Sequence, residues 1–317
     1  MLGKKLSNLV ILAALVNLSV QAAPLAFITN QLSDDISIFD IESAQLVRTI
    51  TIGKSPAGIA HCDQSQIIVA TSPDEKNLYV IDSKTTNLIK TIKVGAGPLG
   101  VVCAPGGQTA YVADWYENVV YIVDIHNAKI IHQIPVGLSP SGLVLDTHRQ
   151  RLYIANRDSD SVSVIDLSTH QLIKDISVGD APFGMAISSD GKKLFAINVR
   201  SSTVSEIDTV KLQVTSEIEV GEWPYCAVVD RAGKWLYVTN QEDDSVSIVD
   251  IKNHKEIHRI DVGETPEGID LSPDGSKLLV VNWGEGSLSI IDTLTNKTIE
   301  TIKAGKGSRA FGRFAIP

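Results

Sequence analysis

LYVTNQEDDSVSIVDIKNHKEIHRIDVGETPEGIDLSPDG, residues 236–275, reads as four short strands parted by turn signals. LYVTN (236–240) is apolar and β-branched. SVSIVD (245–250) alternates, EIHRIDVG (256–263) ends on Ile-x-Val-Gly, and PEGIDLSPDG (266–275) holds a strand between a proline and a turn. No helix-length apolar period occurs in it. The same unit recurs every 42 residues along the chain. Asn30, Ser72, Asp114, Asn156, Asn198, Asn240 and Asn282 hold one position of it, and Asp40, Asp82, Asp124, Asp166, Asp208, Asp250 and Asp292 another. Gly53 through Gly305 repeat at the same interval, as do Pro56 through Pro266, where Ser308 breaks the pattern. Four strands in about 40 residues, repeated, are the signature of a β-propeller blade. One four-stranded sheet cannot bury both of its faces; seven packed around an axis can.

The expected fold is therefore all-β: a seven-bladed β-propeller with four-stranded antiparallel blades. Residues 25–317 number 293, one short of seven units, so residues 23–317 read as a single domain. The repeat opens on the LAFITN strand and closes on SRAFGRFAIP, which should precede it in a blade. The C-terminal strand is thus expected to pair with the N-terminal strands and close the ring. Residues 1–22 read as a signal peptide cleaved after Ala22: Lys4 and Lys5, the apolar run Leu9–Val16, then Val20-Gln21-Ala22. The run is about half the roughly 20 residues that span a bilayer, so no membrane span is expected and the location should be periplasmic or secreted. Of 317 residues 44% are hydrophobic and only 5% aromatic, so the core should be Val, Ile and Leu. Without residues 1–22, 26 basic residues face 37 acidic ones, a charge of −11 that disfavours nucleic acid as a partner. Cys62 and Cys103 fall one position apart in the repeat, which points them to opposite faces of a strand and argues against a bridge; with Cys226 they read as small core residues.

LYVTN and LYIAN (152–156), SVSIVD and SVSVID (161–166), and VGxxPxG at 178–184 and 262–268 resemble the YVTN family of β-propeller repeat proteins, which includes YncE-like exported bacterial proteins. The resemblance covers essentially the whole of residues 23–317. It implies the propeller fold and leaves the activity open, because related propellers serve as surface-layer repeats, as companions of quinoprotein dehydrogenases, as lactonising enzymes and as haem-binding modules.

A residue present in all seven blades is read as structural, and function is sought where the repeat varies. The Asp series should cap turns, the glycines before PxG should supply special backbone angles, and the Asn series should satisfy backbone groups of the following loop. Between the Pro and Gly of PxG the chain runs Ala57, Leu99, Ser141, Phe183, Tyr225, Glu267, Arg309. Trp223 lies two residues before Tyr225, and Trp115 and Trp283 share one position in the loop after LYVTN. By analogy with other propellers the strand after VGxxP is innermost, which sets all of these at one mouth of the channel. Aromatics with a few polar groups at a concave mouth suit a ligand or a partner, or else plug the channel. Glu206 replaces Ile or Val of the other six blades, and a carboxylate there must be paired or protonated. Asp270 and Arg313 interrupt apolar positions of the innermost strand, and His61 is the one histidine on such a strand, with no partner evident.

Catalytic motifs are missing: there is no HExxH, GxSxG, phosphate loop or CxxCH. The histidines are expected blades apart, so neither a metal site nor a cofactor is expected. The reading is an exported binding or scaffold module that recognises a partner protein or small ligand at the channel mouth. The alternative is a lactonase-like enzyme, or an accessory of a periplasmic quinoprotein or cytochrome pathway.

Overall fold

The computed structural model describes residues 23–317, so the signal-peptide reading of residues 1–22 lies outside the described residues. The described residues form seven sheets, antiparallel but for one short strand in blade 2, and their only helical element is one 3₁₀ turn at Arg157–Ser159. Blade 1 holds Leu25–Asn30, Asp35–Asp40 and Gln45–Thr51. Blades 2 to 7 open on the innermost strands Ile59–Cys62, Pro98–Cys103, Pro140–Asp146, Pro182–Ile187, Pro224–Val229 and Pro266–Leu271, each followed outward by three more in chain order. The second and third strands of each blade are almost wholly buried, whereas the outermost carries exposed residues such as Leu46, Ile131 and Ile257. This is the alternation of a sheet stacked on both faces, ending in an open rim.

The C-terminal segment closes the ring, and it does so on two blades rather than one. Ala315–Ile316 pairs antiparallel with Leu25–Asn30 and completes blade 1. Gly312–Arg313 runs parallel to Ile59–Cys62 and adds a fifth strand inside blade 2. Asp270, on the innermost strand of blade 7, receives the backbone N–H groups of Phe314 and Ala315 on Oδ2 at 2.9 and 3.0 Å. Phe314 then packs in a core with Phe27, Ile38 and Ile290, from both sides of the seam.

The repeat residues have separate tasks. All seven Asp carboxylates accept backbone N–H groups two or three residues on: Asp40 caps Glu42 and Ser43, Asp250 caps Lys252 and Asn253, and Asp292 caps Leu294 and Thr295. The glycines before PxG need correction. Gly53 and Gly95 have positive φ, but Gly137, Gly179, Gly221, Gly263 and Gly305 do not. In these five a Cβ would collide with the Asn side chain of the following strand, so glycine makes room for the Asn series. The glycine of PxG is needed for approach between blades: a Cβ on Gly142, Gly184 or Gly268 would meet the backbone carbonyl of the neighbouring innermost strand. The Asn amides also differ from expectation. Asn156, Asn198, Asn240 and Asn282 donate to two Ser or Thr hydroxyls of the adjacent strand, as Asn240 does to Ser245 and Ser247 at 3.1 and 2.9 Å. Backbone N–H groups are accepted by Asn30, from Gly305, and by Asp114, which takes four.

The expectation for the cysteines is overturned. Cys62 and Cys103 form a disulfide, with Cα atoms 5.1 Å apart, and Cys226 is free and buried. Alternation assigns faces within one sheet. Here two sheets stack front to back, so residues pointing to opposite faces of neighbouring blades meet at the seam between them. Among the described residues no helix is long and apolar enough to cross a membrane.

Backbone N–H donors hold the seven Asp carboxyls below the usual range, led in Asp166 by the Ser168 hydroxyl. A lowered folded pKa contributes stability that is present above about pH 4 and lost as pH falls through the folded value. Burial raises Asp270 and Glu267, which works the other way for those two. The melting temperature, followed by circular dichroism, should fall steadily from pH 5 towards pH 2; a flat profile would show that the caps contribute nothing.

Candidate functional site at the channel mouth

The chain direction sets which groups share an end. Innermost strands run from the PxG loop to the far end. The loops after the second strand therefore return beside the PxG loops, as the bonds Trp115 N to Gly97 O, Gln241 N to Trp223 O and Trp283 N to Thr265 O record. The far end carries the Asp-capped turns.

At the mouth the four varied PxG positions come together. Phe183 stacks on Tyr225 with ring centroids 4.1 Å apart and meets Phe311 edge-on at 5.5 Å, while Trp115 lies 6.5 Å from Phe183. Arg309 Nε stands 2.8 Å from Glu267 Oε2, a charge contact whose angle does not make a straight hydrogen bond. Arg309 also donates to the Tyr225 hydroxyl and, at 3.4 Å, to Gln31 Oε1, and its guanidinium lies over Phe311. Gln241 donates to Glu267 Oε1 at 3.1 Å, and Trp283 Nε1 to Gln31 Oε1 at 3.3 Å. Phe183, Tyr225 and Glu267 are all buried. Burial pushes the Glu267 carboxyl and the Tyr225 hydroxyl up, with Arg309 pulling both back; burial likewise raises the Cys226 thiol beneath them. The constellation is buried and most of its polar atoms are spent on one another, Glu267 Oε2 and Arg309 Nε meeting only as charges, which makes it a plug rather than an open site.

Trp223 is outside the plug. It is 46% exposed and has φ 52°. Its counterparts are Ser55, Gly97, Ser139, Ala181, Thr265 and Gly307, and all of these but Gly97 share the positive φ, so the conformation belongs to the loop and only the bulky side chain is particular to blade 6. Leu32, Tyr116 and Leu138 are further exposed side chains in loops of the same end. Trp115 is half-buried, with Arg157 over its ring at 5.8 Å. Tyr116, Leu138 and Leu32 escape a search of the PxG position because they lie in neighbouring loop positions.

The remaining candidates lie elsewhere. Glu206 is buried and paired: Lys193 Nζ at 3.0 Å, His254 Nε2 of blade 6 at 3.2 Å and Thr215 Oγ1 at 3.1 Å surround it. Asp270 serves the closure described above. At the far end His61 does have partners, contrary to the sequence reading: its Nδ1 is 3.5 Å from Asp63, and Arg313 reaches Asp63 at 2.8 Å. Asp63 lies in the turn after the strand, and Arg313 arrives from the far end of the chain, so repeat position alone could not find either. His132 and His170 also meet, centroids 4.8 Å apart, because each outermost strand abuts a turn of the next blade. No cluster of three or more metal-ligating side chains occurs among the described residues.

Comparison with known proteins agrees with this architecture. The YNCE-like beta-propeller family matches residues 185–269. Hydrazine synthase of Kuenenia stuttgartiensis superposes with a TM-score of 0.73 at 20% identity, covering 80% of this chain and 87% of that one. A functionally unknown protein of Desulfotomaculum acetoxidans superposes at 0.80 with 15% identity over 92% of this chain and all of the other. At such identities the likeness is one of fold. No curated protein matches the chain in sequence.

If the plug is structural and Trp223 is not, two variants should separate. Glu267→Ala strands the Arg309 charge and should cost about 3–5 kcal/mol in urea unfolding. Trp223→Ser, which installs the residue of blades 2 and 4, should stay within about 0.5 kcal/mol of the parent. Equal losses would contradict the division.

Proposed function

We propose that this seven-bladed propeller, of which residues 185–269 match the YNCE-like beta-propeller family, is an exported, non-catalytic binding module whose contact surface is the rim of the channel mouth. Trp223 carries the reading. Alone among the seven blades it sets a large aromatic at this position, and it leaves that ring nearly half exposed. It stands with Tyr116, Leu138 and Leu32 above a closed plug, which offers a surface rather than a cavity and so suits a macromolecular partner. Export is supported by the buried Cys62–Cys103 bridge, which suits an oxidising compartment.

A photocrosslinking residue at position 223, compared with one at Leu294, tests this. Both sites are exposed, and they lie on opposite ends of the ring. In cells, position 223 should give a discrete protein adduct and position 294 none; the reverse pattern would overturn the proposal.

The lactonase-like alternative draws on the His61–Asp63–Arg313 group, an acid, a histidine and a base on one face. Turnover of a lactone panel that vanishes in His61→Ala would favour it, and no turnover by the parent would remove it.

A further inference from the structure

The rim is not electrically uniform. In blades 6 and 7 the four mouth loops, residues 220–223, 241–244, 262–265 and 283–286, contain Glu222, Glu242, Asp243, Asp244, Glu264 and Glu285 and no Lys or Arg. Some of these carboxylates have structural work. Asp243 accepts Glu222 N and is neutralised by Arg259 at 2.7 Å. Asp244 caps Thr265 N at 2.8 Å, and Glu285 takes the Ser287 hydroxyl. Glu222, Glu242 and Glu264 do not: their side chains are exposed and, among the described residues, have neither an ion pair nor a hydrogen bond. Glu222 and Glu242 lie beside Trp223, since the loop 220–223 is bonded to the loop 241–244 through Gln241 N to Trp223 O and Glu222 N to Asp243, and Glu264 lies in the next loop, bonded through Val262 N to Asp244 O. The self-repulsion of such a group is relieved by a cation, and an indole face adds attraction for guanidinium or ammonium groups.

Resting on the mouth-face reading above, we infer that the partner presents a basic, extended polypeptide segment, whose Lys or Arg side chains engage Glu222, Glu242 and Glu264 while one lies on Trp223. Charge complementarity selects a polypeptide cation over a nucleic acid, whose phosphates these carboxylates would repel. The span of the surface, two blades with an aromatic at one end, exceeds what a single metal ion would use.

The test uses the purified protein and a fluorescently labelled arginine-lysine peptide, with a glutamate peptide of equal length as control and anisotropy as the readout. The basic peptide should bind and the acidic one should not, with affinity falling as salt rises. Glu222→Gln with Glu242→Gln should weaken binding about fivefold, and Trp223→Ser should weaken it too. The charge-matched pair Glu42→Gln and Glu300→Gln, remote from the mouth, should change it by less than about twofold. No binding of the basic peptide, or equal losses in the two charge-matched pairs, would overturn the inference. In that event a protein adduct at position 223 would leave the mouth-face reading standing without its charge preference.

Discussion

Two backbone N–H groups, those of Phe314 and Ala315, end on the buried carboxylate of Asp270, and this contact ties the segment that closes the ring to blade 7. A charge in that environment is costly unless hydrogen-bonded, and here the donors are the segment that must be held. Asp270 fixes Gly312–Ile316 across the seam, so that Gly312–Arg313 joins blade 2 while Ala315–Ile316 joins blade 1. The open edges that a linear array would present are removed together. Everything at the mouth follows from the closure. Arg309 can reach Glu267 and Tyr225 only because the segment that carries it is bonded to Thr29 and Asn30 of blade 1, across the seam from blade 7.

The two kinds of polar group at the mouth differ in what they cost. At the channel mouth, Arg309, Glu267, Gln241 and Gln31 contact one another beside the rings of Tyr225 and Phe311, and the whole is part of the fold. On the rim, Glu222, Glu242 and Glu264 satisfy nothing, and Trp223 holds a large aromatic ring in the open. A fold under selection for stability alone would place a small residue at position 223, as it does six times in the same chain. The asymmetry of an otherwise repetitive ring is thus concentrated at one end of blades 6 and 7.

Much of this was legible in the repeat. The 42-residue period counts the blades, the phase predicts the closing strand, and the Asp series announces its turns. Comparison between blades also found Phe183, Tyr225, Glu267 and Arg309, which do meet. What it missed has one origin. Repeat position says where a residue lies in its own sheet and nothing about what the next sheet brings to it. Cys62 and Cys103 bridge because neighbouring blades stack front to back. His61 and Arg313 share Asp63 because the ends of the ring join, and five of the seven glycines before PxG answer to an Asn side chain rather than to their own dihedral angles.

The closure itself is open to direct measurement by hydrogen exchange on the protein and on Asp270→Ala. In the parent, Leu25–Asn30 should exchange as slowly as the corresponding strands of the middle blades, Arg151–Asn156 and Lys193–Asn198. In the variant, Leu25–Asn30 and Ile59–Cys62 should lose protection first, while the middle blades keep theirs. Uniform protection in the variant, or a fast-exchanging Leu25–Asn30 in the parent, would contradict the claim that this carboxylate holds the ring shut.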